Sequence, residues 1–243
     1  MNVNALSHAK ILLSKGCMND IYKPVMDFIE HKLLPMYSKN TDMFTADYMI
    51  DKMCMVDYVI SMLPQQKYPV HEWELVLMAM LADLSYCFPD YDKKQHHILS
   101  VQHMMDEYGD FLRKTVSDIE LFKKTIEKIN YSDRALINVH YGAGLNGMIL
   151  HDVDHLTKIK NFYQVWAWYY NHSDETESGK KFTKSYINCK VRYGKQGTHV
   201  LFLKTLGNVH FFSNMINELK EALTTEEKFT NYLNQKAQEN GQA

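Results

Sequence analysis

The sequence predicts an all-α protein, and three observations carry that reading. Glycine and proline are scarce, at 10 and 5 of 243 residues, so the chain has few obligatory turns. Apolar residues recur at steps of three and four, the spacing that places them on one face of a helix. The period-two alternation of a half-buried strand is rare. With 46% hydrophobic residues, the chain has material for a core without disulfide or metal staples. We expect one compact multi-helix domain over 20–236, an N-terminal extension over 1–19 and a flexible tail over 237–243.

The elements follow in order. Ile21, Val25, Phe28, Ile29 and Leu33 give the first helix, from Asp20 to Pro35, with Pro24 in its first turn where a missing N–H costs little. Thr45 is the N-cap of a second helix that runs through Met49, Met53, Val56, Val59, Ile60 and Leu63 and stops at Pro64. A third, from Val70, carries Trp73, Val76, Leu77, Met80, Leu81 and Leu84, is apolar almost all round, and belongs in the middle of a core. After the polar loop FPDYDKKQ, a fourth helix carries His97, Val101, Met104, Met105, Tyr108 and Leu112. A fifth carries Val116, Ile119, Phe122, Ile126 and Ile129.

Ala135 to His140 reads as either a short helix or a short strand, and Gly142, Gly144 and Gly147 read as a turn needing positive φ. GAGLNG has no preceding strand and no Lys-hydroxyl ending, so it does not match a phosphate-cradling loop. In Leu150–Tyr170, Leu156, Ile159, Tyr163, Trp166 and Tyr170 fall on one helical face, and Trp168 and Tyr169 point elsewhere, toward another helix or a partner. The polar stretch NHSDETESGKK is an exposed loop. Helices over Lys181–Tyr193 and Thr198–Leu206 follow, then a charged amphipathic helix over Asn214–Lys236 and a fraying tail.

Lys plus Arg is 27 and Asp plus Glu is 29, a formal charge of −2, which does not predict non-specific nucleic-acid binding. Cys17, Cys54, Cys87 and Cys189 form no CxxC pair and read as reduced, mostly buried thiols of a cytoplasmic protein. The first residues lack the pattern of a signal peptide, and no apolar run is long enough to span a membrane.

The residues that could carry chemistry are few. Asp83 ends the apolar third helix, where a charge is costly to bury without a partner or metal; solvation at the helix end is the plainer reading. His96 and His97 stand at the start of the next helix and read most simply as surface imidazoles. His151, Asp152, Asp154 and His155 lie within five residues, and Asp152 also reads as an N-cap favoured by the helix dipole.

Taken in order, an acid ends a buried helix, a loop leads to a histidine-bearing helix, and a later Asp-x-Asp opens an aromatic helix. This order resembles the HD-domain superfamily of metal-dependent phosphohydrolases. The resemblance rests on MLADLSYCFPDYDKKQHHILSV, ILHDVDHLTKIKNFYQVWAWYY and HVLFLKTLGNVHFFSN, and covers roughly residues 35 to 220. It implies an HD-domain-like fold in which Asp83 and Asp152, with Asp154 as a neighbour, are the metal ligands. Ala82 stands where that family has the histidine of its His-Asp pair, and Phe44 and Tyr48 stand where early-helix imidazoles are expected.

These departures make the expected protein a degenerate phosphohydrolase-like chain, impaired in metal-dependent hydrolysis, that binds a nucleotide-like or phosphate-containing small molecule or a protein partner. The first alternative is an active nucleotide phosphohydrolase using magnesium or manganese. In it, His96 and His97 would supplement the metal site, and His140, His151 and His155 would contact substrate. The second alternative is an unrelated helical interaction protein with no cofactor. Oligomer formation stays open.

Overall fold

The computed structural model describes residues 22–41, 43–64, 72–92, 95–129, 136–197 and 201–239, with no side-chain description for 22, 136–143 or 204. The protein is all-α; the described residues contain helices and turns and no strand. It divides into two compact units, 1–154 and 155–243.

The first unit begins with α1 (Tyr22–Phe28), a π-helical turn (Ile29–Leu33) and α2 (Leu34–Tyr37). The Leu34 N–H donates to the Ile29 carbonyl, a five-residue span. Pro35 follows directly, and a proline ring crowds the carbonyl four residues before it, so a wider turn there relieves the clash. The predicted start at Asp20 and Ile21 lies outside the described residues. α3 (Ala46–Met62) is capped as the sequence indicates: the Tyr48 N–H donates to Thr45 Oγ1 at 3.2 Å. α4 (Glu72–Leu81) is buried continuously from Glu74 to Leu81, which explains its all-round apolar character. Each of its leucine and methionine side chains is worth about 1.5–3 kcal/mol on burial. Glu74 is the exception in that run, and its Oε1 accepts from the Ser117 N–H at 3.0 Å and the Ser117 hydroxyl at 2.8 Å.

A 3-10 turn (Leu84–Cys87) leads to α5 (His96–Thr115) and α6 (Ile119–Ile129). α7 (Leu136–Lys160) is helical where a Gly-rich loop was expected, and the strand reading of the segment before it is excluded from Leu136 onward. The turn character survives as one kink at Gly144, with φ 59° and ψ −154°. As a result, Asp152 and Asp154 lie well inside a helix and not at its N-terminus.

In the second unit the helical phase changes. Asn161, at φ −100° and ψ 37°, separates α7 from α8 (Phe162–Asn171). The buried face is therefore Phe162, Val165, Trp168 and Tyr169, while Tyr163, Trp166 and Tyr170 are half-buried. Trp168 and Tyr169 do lie on a different face from Trp166, and that face is the buried one. Phe162 meets Tyr193, Phe229 and Tyr232 edge-on, and Trp166 meets Phe182.

α9 (Ser178–Tyr193) starts inside the stretch read as a loop. Of the helix expected over Thr198–Leu206, the described residues show the short α10 (Lys204–Gly207), and the expected start lies outside them. The single C-terminal helix expected is two, α11 (His210–Ala222) and α12 (Glu226–Glu239). Thr225 Oγ1 accepts from the Lys228 N–H at 3.2 Å and so opens the second of them.

Candidate functional site

The candidate site is built around a residue that the sequence pattern did not single out. Lys52 lies on the buried face of α3, four residues after Tyr48 and three after Met49, and is only 3% exposed. Its ammonium donates to Asp83 Oδ2 at 2.6 Å and lies 3.3 Å from Asp154 Oδ1. Asp83 is 3% exposed, so the solvated reading of that carboxylate is wrong. Burial alone would push the Lys52 ammonium toward losing its proton; the two carboxylates outweigh burial and raise its pKa above the ordinary lysine value. The signal was present as a lysine in core phase between Met49 and Val56. A charge at such a position requires a buried partner.

The turn that carries Asp83 is fixed by α5. His97 Nδ1 lies 3.0 Å from the Ala82 carbonyl oxygen, which can only accept, so Nδ1 carries the proton and donates. The Ser85 N–H donates to Ser100 Oγ at 2.9 Å. His96 and His97 are both buried, with ring centroids 3.8 Å apart, which corrects the surface reading of the pair. Aromatic rings wall the site: Phe44 stacks on Tyr86 at 3.7 Å and meets Tyr48 edge-on. The Tyr37 and Tyr86 phenols are held neutral, chiefly by burial, with the Asp83 charge adding to the effect.

The other predicted residues go elsewhere. Asp152 is fully buried, and its Oδ1 accepts from His151 Nδ1 at 3.1 Å. His151 is buried too, inside α7. His155 is 4% exposed and stacks on Tyr193 with centroids 5.7 Å apart. His140 belongs to α7, but its side chain lies outside the described residues. Of the expected acids, Asp83 and Asp154 converge on one cation, while Asp152 meets its neighbouring histidine.

These residues do not fit a divalent metal as they stand. The Lys52 ammonium already holds the position between the two carboxylates that a metal would need. Ala82 and Phe44 offer no donor side chain at the positions where imidazoles were expected. Among the described residues, no group of three His, Cys, Asp or Glu side chains is arranged to hold a metal ion. The arrangement can neutralise buried charge and fix α3 against the Asp83 turn and α7.

Cys54 and Cys87 are half-buried and Cys189 is buried; Cys17 lies outside the described residues. Burial raises the Cys87 thiol to about 11, so it is protonated at neutral pH. No described helix is long and apolar enough to cross a membrane. No protein-family model matches the chain, no curated protein matches it, and no solved structure matches it.

Proposed function

We propose that this chain is a divergent HD-like protein in which a lysine ammonium has taken the place of the metal, and that it works by binding and not by metal-dependent hydrolysis. The observation that supports the reading is the position of Lys52 Nζ, 2.6 Å from Asp83 and 3.3 Å from Asp154. Metal-assisted phosphoester hydrolysis needs an ion with open positions that lowers the pKa of a bound water. An ammonium has protons to donate but no coordination sites, and here its charge is spent on buried Asp83 and half-buried Asp154. The bound species is a phosphate-containing small molecule or a protein partner.

The test is phosphate release from nucleoside mono- and triphosphates, and cleavage of a phosphodiester, with magnesium or manganese present. The expected rate equals that of buffer with metal alone. Metal-dependent turnover that disappears in Asp83→Ala and in Asp154→Ala would overturn the proposal in favour of an active phosphohydrolase.

A further inference from the structure

A second region supplies what a binding role needs, a concave site of one charge sign with an apolar wall. α9 carries Lys180, Lys181, Lys184, Lys190 and Arg192 and no acidic residue, in a chain whose formal charge is −2. At its C-terminal end lies a cavity of about 510 Å³, lined by residues that include Lys190, Lys195, Lys220, Val191 and Leu223. That volume is in the range of small-molecule pockets, about 300–1,000 Å³.

The cavity is preshaped. A Cβ at Gly194 would come 2.5 Å from the Lys190 carbonyl oxygen, and one at Gly197 would come 2.5 Å from that of Arg192, so the turn closing the helix is too tight for a side chain. The Gly194 N–H donates to the Lys190 carbonyl at 3.0 Å and thereby caps the helix end. Lys190 Nζ is held 3.2 Å from the Tyr186 hydroxyl. Lys195 is held 2.9 Å from Glu221, a carboxylate that Lys228 also pairs. Glu221 is thus matched twice, and Lys220 makes no ion pair among the described residues. Val191 is 58% exposed beside these ammonium groups, and Leu223 is buried behind them.

We infer that this cavity binds a polyanionic small molecule with an apolar or planar body, the class to which nucleoside di- and triphosphates belong. Lys190, Lys195 and Lys220 take the phosphates, and the exposed Val191 takes the body. The inference gives the binding role proposed above a ligand class and a place, and it does not depend on what Lys52 does.

The test is calorimetric titration of the full chain with ATP, pyrophosphate and adenosine, at low ionic strength and with EDTA to remove metal. Saturable ATP binding is expected, about tenfold tighter than pyrophosphate, with adenosine undetected. Removing one ammonium–phosphate pairing should weaken binding about tenfold. Lys220→Glu and Val191→Asp should therefore weaken ATP binding with the melting temperature unchanged, and Lys123→Gln, in the first unit, should leave it unaltered. Failure of ATP to saturate, ATP binding to Lys220→Glu as to the wild type, or pyrophosphate binding as tightly as ATP would each overturn the inference. None of these outcomes bears on whether Lys52 excludes a metal.

Discussion

At the scale of the residue, Lys52 decides how the site is understood. Two carboxylates and one ammonium, with Lys52 and Asp83 buried and Asp154 half-buried, form a group whose parts depend on each other. Removing one partner of a buried ion pair typically costs about 3–5 kcal/mol, because the remaining charge has no water to turn to. Lys52→Met should therefore lower stability by about that amount, read as a shift in urea midpoint. Adding Asp83→Asn and Asp154→Asn to the same chain should recover more than half of the loss. A simple sum of the separate losses would show that the three do not act as a unit.

Glu72 offers a second test at this scale. It is half-buried, and burial, a hydrogen bond with Asp57 and repulsion from that carboxylate raise its pKa from 4.5 to about 7. A raised carboxyl favours the folded state while protonated. Its contribution is complete below the ordinary value near 4.5 and is lost as pH climbs through about 7. Stability should fall across that window in the wild type, and Glu72→Gln should flatten the fall, as followed by thermal unfolding at stepped pH.

At the scale of the element, the sequence foretold helices better than it foretold their ends and phases. The Thr45 cap and the continuously apolar α4 were legible because a cap and an unbroken apolar run are local signals. The break at Asn161 was not, since asparagine only permits that backbone, and the resulting phase change exchanged the Tyr163–Trp166–Tyr170 face for Phe162–Val165–Trp168. The split before α12 could have been seen: Thr225 followed by Glu226 and Glu227 is a helix start. The Gly144 kink was partly visible, as a glycine expected at positive φ. A Cβ there meets no atom within 4 Å, so Gly144→Ala tests backbone strain alone. It should cost about 1–3 kcal/mol by denaturant unfolding. Loss of the cap in Thr225→Ala should cost about 1 kcal/mol.

At the scale of the whole molecule, the candidate site was half legible. Asp83 was picked out because an acid at the end of an apolar helix needs an explanation, and Asp154 because it belonged to a dense acidic cluster. Their common partner carried a signal that went unread, a lysine in core phase between Met49 and Val56. The sequence could not say which carboxylates meet that lysine, because Asp83 and Asp154 reach it only through packing of distant helices. The histidines looked like ligands in the sequence, yet His97 holds the backbone of the Asp83 turn and His151 holds Asp152. In the first unit Lys52 lies between Asp83 and Asp154, and in the second a basic cavity is formed by α9, α11 and the turn after α9.

The central claim is that Lys52 excludes a divalent cation from Asp83 and Asp154. It is tested most directly by the melting temperature of the wild-type chain across a manganese titration. The predicted result is no saturable change. A saturable rise that disappears in Asp83→Ala would contradict it.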